Sequence, residues 1–136
     1  MANNKIIDAV KSAEFIVHKL LAVQQGEEVV LVGDPDTDIE MMQALAGVVQ
    51  GAGAEYNLVI MPTRPQEASL SMTRFIEKGL EAADVLIGMT RSSAAACYSD
   101  AVEVQRKARG LRQLSMVMRD LDTLTKGGAT ADYEAM

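Results

Sequence analysis

The sequence has no tryptophan, one cysteine (Cys97), one histidine (His18) and three prolines in 136 residues, and aromatic side chains make up only 4% of it. A lone cysteine excludes an internal disulfide framework. With one Cys and one His, a zinc site built from those ligands is excluded too, and any metal site would have to be mostly carboxylate. A Ser/His or Cys/His nucleophile pair would need His18, which falls inside an amphipathic helical pattern and far from any loop signal. Basic residues are scarce relative to acidic ones, 13 against 19, for a net charge of −6. Such a chain has no overall attraction for a phosphate backbone or for anionic lipid, so nucleic acid and membrane are poor partners. No apolar run approaches the ~18 residues of a membrane span, and residues 1–5 lack the features of a signal peptide. The expected compartment is the cytoplasm, where a single thiol is stable.

What is present is globular in composition, with 49% hydrophobic and 24% charged residues. The length suits one domain with one core, burying roughly two-thirds of its unfolded surface without staples. Ile6, Val10, Ala13, Val17 and Leu20 recur at helical spacing and predict a helix over residues 4–24, ended by Gly26. Strands are expected at 28–33, 56–60, 84–89 and 111–118, where short β-branched and apolar runs match strands buried on both faces. Helices are expected between them: from a Thr37…Glu40 capping box to Gly51, over 70–83, and from Ser93 or Ala94 to Arg109, with Gly110 as the C-terminal cap. A short helical stretch follows at 120–126, then a Gly127-Gly128 hinge and a further helical turn at 131–134.

Alternating strands and helices imply βαβ crossovers and a doubly wound, mostly parallel four-stranded α/β sheet with helices on both faces. The expected strand order is 2-1-3-4. That order creates a switch point between strands 1 and 3, and ligands in such sheets bind beyond the carboxyl ends of the strands there. Two loops would flank the crevice, residues 33–38 and residues 90–93.

The first loop alternates Asp34, Asp36 and Asp38 and resembles the start of a calcium loop. It fails as one, because Ile39 stands where the turn needs glycine and Leu45 where a bidentate Glu is needed. A turn rich in Asx residues running into a helix cap accounts for it better, and its carboxylates would repel a phosphate. The second loop offers Thr90, Arg91, Ser92 and Ser93, one cation and three hydroxyls beside a helix start, which suits an anion or a carboxylate. The candidate ligand-binding residues are therefore Asp34, Asp36, Thr37, Thr90, Arg91, Ser92 and Ser93. Arg106, Lys107, Arg109 and Arg112 form a basic cluster without interleaved aromatics, which reads as a solvated face. His18 reads as a surface or boundary residue, Cys97 as a small buried one, and the nine methionines as core filling.

The order of segments carries a resemblance. A leading helix precedes Gly26-Glu27-Glu28-Val29-Val30-Leu31-Val32; a second helix ends at Gly51-Ala52-Gly53-Ala54-Glu55; Leu80-Glu81-Ala82-Ala83-Asp84-Val85-Leu86-Ile87 follows. Together with Ser99, Ala101, Gly110-Leu111-Arg112, Met116 and Asp132-Tyr133, this resembles the N-terminal domain of the aminopeptidase T (leucyl aminopeptidase) metallopeptidases and of the related dihydroxypyridine dioxygenases. The chain departs from the pattern at Tyr98, where many relatives are expected to carry histidine, so no imidazole role carries over to that position.

The resemblance implies a two-domain, metal-dependent enzyme whose divalent metal is held by a C-terminal domain outside this sequence. Residues 1–128 would form one Rossmann-like domain and residues 129–136 the start of a linker to the second. This chain would then carry no catalytic residue, metal ligand or cofactor of its own. It would wall the active-site cleft and support a homo-oligomer, exposing an apolar patch near Leu121, Leu124, Tyr133 and Met136. Two other readings stay open: a stand-alone module that binds a small anion or carboxylate, and a purely structural assembly domain.

Overall fold

A computed structural model describes residues 4–63, 72–90 and 99–116. Among them the elements are helix α1 (Asn4–Glu14), a π-helical segment (Phe15–Leu20), strand β1 (Glu28–Gly33), helix α2 (Ile39–Gly51), strand β2 (Glu55–Ile60), helix α3 (Arg74–Gly79), strand β3 (Val85–Gly88), helix α4 (Asp100–Arg109) and strand β4 (Arg112–Ser115). All strand pairs are parallel and the order is β2-β1-β3-β4, as the alternating pattern predicts. The expected elements at 120–126 and 131–134, and the apolar patch at Leu121, Leu124, Tyr133 and Met136, lie outside the described residues.

β1 and β3 form the centre of the sheet, and its two faces take alternate residues. Val29, Leu31, Val85 and Ile87 face a core completed by Ala13 of α1, Ile16 and Val17 of the π segment, and Met42, Leu45 and Val49 of α2. Val32 and Leu86 face a second core with Ile76, Leu80 and Val102. This two-sided burial is why these strands read as continuous apolar runs.

The first helix departs from expectation. Leu21 N–H donates to Ile16 O at 3.0 Å and Val23 N–H to Val17 O at 3.0 Å, wider turns than an α-helix makes. The extra residue rotates the following side chains. Leu21 therefore enters the core at 4% exposure while Leu20, expected inside, is 36% exposed. Helical geometry stops there, and Ala22, at φ 48°, turns the chain well before Gly26. The third helix is also shorter than its pattern, starting on a Thr73 cap that accepts from Ile76 N–H at 3.2 Å and ending at Gly79. The last strand ends at Ser115, with Met116 already beyond it, and positions 117 and 118 of the expected strand lie outside the described residues. Helix α4 starts at Asp100 and not at Ser93 or Ala94, because Ser99 before it is extended (φ −70°, ψ 158°) and caps it by accepting from Val102 N–H. It ends as expected on Gly110, whose φ of 74° lies in the left-handed region that glycine enters without a Cβ penalty.

Candidate functional site

The carboxyl end of the sheet is where strand β1 hands over to α2 and β3 to the next crossover. Asp34-Pro35-Asp36-Thr37 makes a tight turn, with Thr37 N–H donating to Asp34 O at 3.0 Å. Proline at the second position supplies the required φ. Asp34 Oδ1 accepts from Asp36 N–H at 3.0 Å, the Asx turn its residue type favours.

Thr37 is the hub of this end. Its Oγ1 accepts from Asp34 N–H at 2.9 Å and donates to Met89 O, 2.6 Å away at the end of β3. The contact to Asp34 Oδ1 is longer, 3.3 Å, and a hydroxyl has one proton to give. One side chain thus joins the two loops that flank the switch point. The approach is tight enough to need Gly33: a Cβ there would lie 2.8 Å from Thr37 Oγ1 and 3.1 Å from Met42 Sδ.

Helix capping is correspondingly reassigned. The residue expected to cap α2 was Thr37, but the cap is Asp38, whose Oδ1 accepts from Glu40 N–H at 3.0 Å and Met41 N–H at 3.4 Å. Thr37 cannot serve, because its oxygen is committed across the sheet.

Of the candidate residues, Asp34 and Thr90 are buried, at 1% and 0% exposure, Thr37 is half-buried and Asp36 is exposed. Arg91, Ser92 and Ser93 lie outside the described residues, as do Cys97 and Tyr98. Among the described residues, no three of the His, Cys, Asp and Glu side chains are grouped so as to hold a metal ion.

No family model matches the chain, and no curated protein sequence matches it. Solved structures do. The 2,5-dihydroxypyridine dioxygenase from Pseudomonas putida KT2440 superposes with a TM-score of 0.61 at 19% identity, over 80% of this chain and 33% of that one. The likeness is one of fold. This chain therefore spans a third of the dioxygenase's length, and the dioxygenase side of the sequence resemblance holds at the level of architecture. The aminopeptidase side has no such support. VinN (TM-score 0.47, 16% identity, 90% of this chain and 27% of that one) and CurK enoyl reductase (0.42, 13%, 93% and 48%) fall below the similarity at which a common fold can be argued.

Sequence reasoning missed the groups that tie the opposite, amino end of the sheet. Asp84 Oδ2 accepts from Glu28 N–H at 2.9 Å, joining the starts of β3 and β1. Arg112 pairs with Glu27, and Arg109 Nη2 donates to Leu80 O at 2.5 Å and Ala83 O at 2.6 Å. Two members of the basic cluster read as a solvated face are thus structural. Arg106 and Lys107 do stand in solvent, paired with Glu103 on α4. Hydrogen bonding from Arg106 holds the Glu103 carboxyl below its ordinary pKa against the opposing effect of desolvation, and the charges of Arg106 and Lys107 add lesser contributions in the same downward direction.

A separate groove of about 490 Å³ runs along the seam between α2 and the first helix with its π segment, lined by Glu14, His18, Glu40, Gln43 and Gly47 among others. His18 is exposed at its rim, as its position beside Val17 predicts. None of the candidate site residues lines this groove. No helix among the described residues is long and apolar enough to cross a membrane.

Proposed function

We propose that this chain is the non-catalytic α/β domain of a larger metal-dependent enzyme of the dihydroxypyridine dioxygenase or aminopeptidase T type, walling one side of the active-site cleft and supporting a homo-oligomer. The observation that carries the reading is the superposition of 80% of the chain on a third of a dioxygenase with a TM-score of 0.61. The switch point supports it from physics. The half-buried Thr37 hydroxyl joins the two loops by donating to Met89 O, and the buried Asp34 carboxylate braces its own loop by accepting from Asp36 N–H, which is the chemistry of a rigid wall. In this reading the divalent metal and the reacting groups belong to a C-terminal domain, residues 129–136 lead toward it, and the enzyme works in the cytoplasm.

The test is to assay the purified chain with 2,5-dihydroxypyridine and with aminoacyl nitroanilides, adding iron(II), zinc, cobalt or manganese. No turnover is expected with any of them; turnover would mean that the domain carries its own chemistry. A native gene product whose mass is the 14.6 kDa of this chain would also overturn the reading. The competing reading, a module that holds a small anion or carboxylate, draws on the position of Thr90 at the carboxyl end of β3, beside β1, where sheets of this kind bind ligands. Calorimetric titration of the wild type and Arg91→Ala with nucleotides and carboxylates separates the two: binding lost in the variant favours the module.

A further inference from the structure

Strand β2 is an edge strand, and its outer side is unpaired among the described residues. Glu55 N–H donates to Glu27 O at 2.8 Å and Met61 N–H to Gly33 O at 2.9 Å, so the odd-numbered residues turn their backbone groups toward β1. In a parallel pair the alternate residues turn theirs away. The N–H and C=O groups of Tyr56, Leu58 and Ile60 therefore point out of the sheet edge.

The side chains of the same three residues lie on one face, in register with Val29, Leu31 and Gly33, and are 45%, 38% and 50% exposed. The usual protections of an edge are missing: β2 contains no proline, lysine, arginine or glycine, and its one charge, Glu55, stands at its start. Phe75, 83% exposed, and a hollow of about 250 Å³ lined by Val30, Val59, Ile76 and Ala83 continue the apolar surface on the other side of the strand.

We infer that β2 is the site at which a second copy of this chain docks, its own β2 adding antiparallel across a two-fold axis at Leu58 to make a continuous eight-stranded sheet. The edge is complementary to itself in that register. Leu58 faces Leu58 and Tyr56 faces Ile60, so every outward N–H meets an outward carbonyl, and like-sided side chains form aromatic–β-branched and Leu–Leu pairs. The charges agree with it as well. Each Glu55 comes opposite Met61, and the two Glu55 carboxylates end up about 20 Å apart, beyond the screening length at physiological salt. Strand pairing alone is small beside the ~800 Å² per partner of a stable interface, and the flanking Phe75 and its hollow supply further apolar area. This deepens the oligomeric part of the proposed function, and its test needs no activity, so the two can fail separately.

Sedimentation equilibrium across a concentration series should show the mass rising from 14.6 kDa to twice that value. Leu58→Lys sets two ammonium groups face to face on the axis and should weaken the dimer about tenfold or more, with its circular dichroism unchanged. Residue-resolved amide exchange on the wild type gives a second reading that depends on no variant. Tyr56, Leu58 and Ile60 amides should gain protection with concentration while Asn57 and Val59 do not change. A chain that stays monomeric, a dimer indifferent to a folded Leu58→Lys, or concentration-dependent protection outside β2 with none at these three amides would each overturn the inference, the last two by assigning the contact to another face.

Discussion

At the amino end of the sheet, charged groups join the strands in partial contact with water: Asp84 receives Glu28 N–H, and Arg112 reaches Glu27. At the carboxyl end the neutral hydroxyl of the half-buried Thr37 does the same for β1 and β3, bridging backbone groups of the buried Asp34 and Met89. The contrast follows from burial. Where water shares the solvation of an ion, a carboxylate or guanidinium can hold a strand at small cost; where water is excluded, an unpaired polar group costs more than the bond it replaces contributes. The carboxyl end should accordingly be the more fragile of the two.

Thr37→Val tests that most severely. Valine keeps the branched shape but strands Asp34 N–H and Met89 O at once. The expected loss is about 2–4 kcal/mol by chemical denaturation, against about 1 kcal/mol for Thr37→Ser, which keeps the hydroxyl. Equal losses for the two variants would mean that packing at this position matters and the bridge does not. Gly33→Ala attacks the same hub from beneath, forcing a methyl against Thr37 and Met42, and should cost about 1–3 kcal/mol. Combined with Thr37→Ala it should cost less than the two single effects added together, because the truncation removes Oγ1, the atom nearest the new methyl. At the amino end, Asp84→Ala removes the acceptor of a half-buried N–H and should cost about 1 kcal/mol. A cost there matching that of Thr37→Val would erase the contrast between the ends.

The strand order was readable from sequence because every crossover runs through a helix, and buried parallel strands announce themselves as unbroken runs such as residues 29–32. The cap of α2 was not. Thr37…Glu40 and Asp38 are both adequate helix starts, and what decides between them is a carbonyl at Met89, 52 residues away, that claims the threonine. The π segment was hidden for a related reason: an α-helical wheel gives Leu20 and Leu21 different faces, and only packing against α2 shows that the wider turn brings Leu21 inward. Arg109 and Arg112 read as solvated because charge clustering says nothing about the carbonyls of Leu80 and Ala83 or the carboxylate of Glu27. The candidate site was legible as a location, the carboxyl ends of β1 and β3, while the roles of Asp34 and Thr37 there depend on contacts between the two loops.

The mildest effect belongs to α4, where Glu103 pairs with Arg106 and Lys107 in solvent, away from both ends. Its folded carboxyl sits below the ordinary value of 4.5, chiefly because Arg106 donates hydrogen bonds to the ionised form. A depressed carboxyl stabilises the fold above its unfolded pKa, and the contribution is lost as pH falls through the lower, folded value. Glu103→Gln should therefore lower the melting temperature slightly at neutral pH, and the gap from wild type should close as the pH drops below 4.5. Added salt at neutral pH should narrow it too, since an exposed pair is screened. A gap that persisted at acid pH and high salt would show that Glu103 contributes through helix propensity or packing, and the ionic account of this helix would have to be given up.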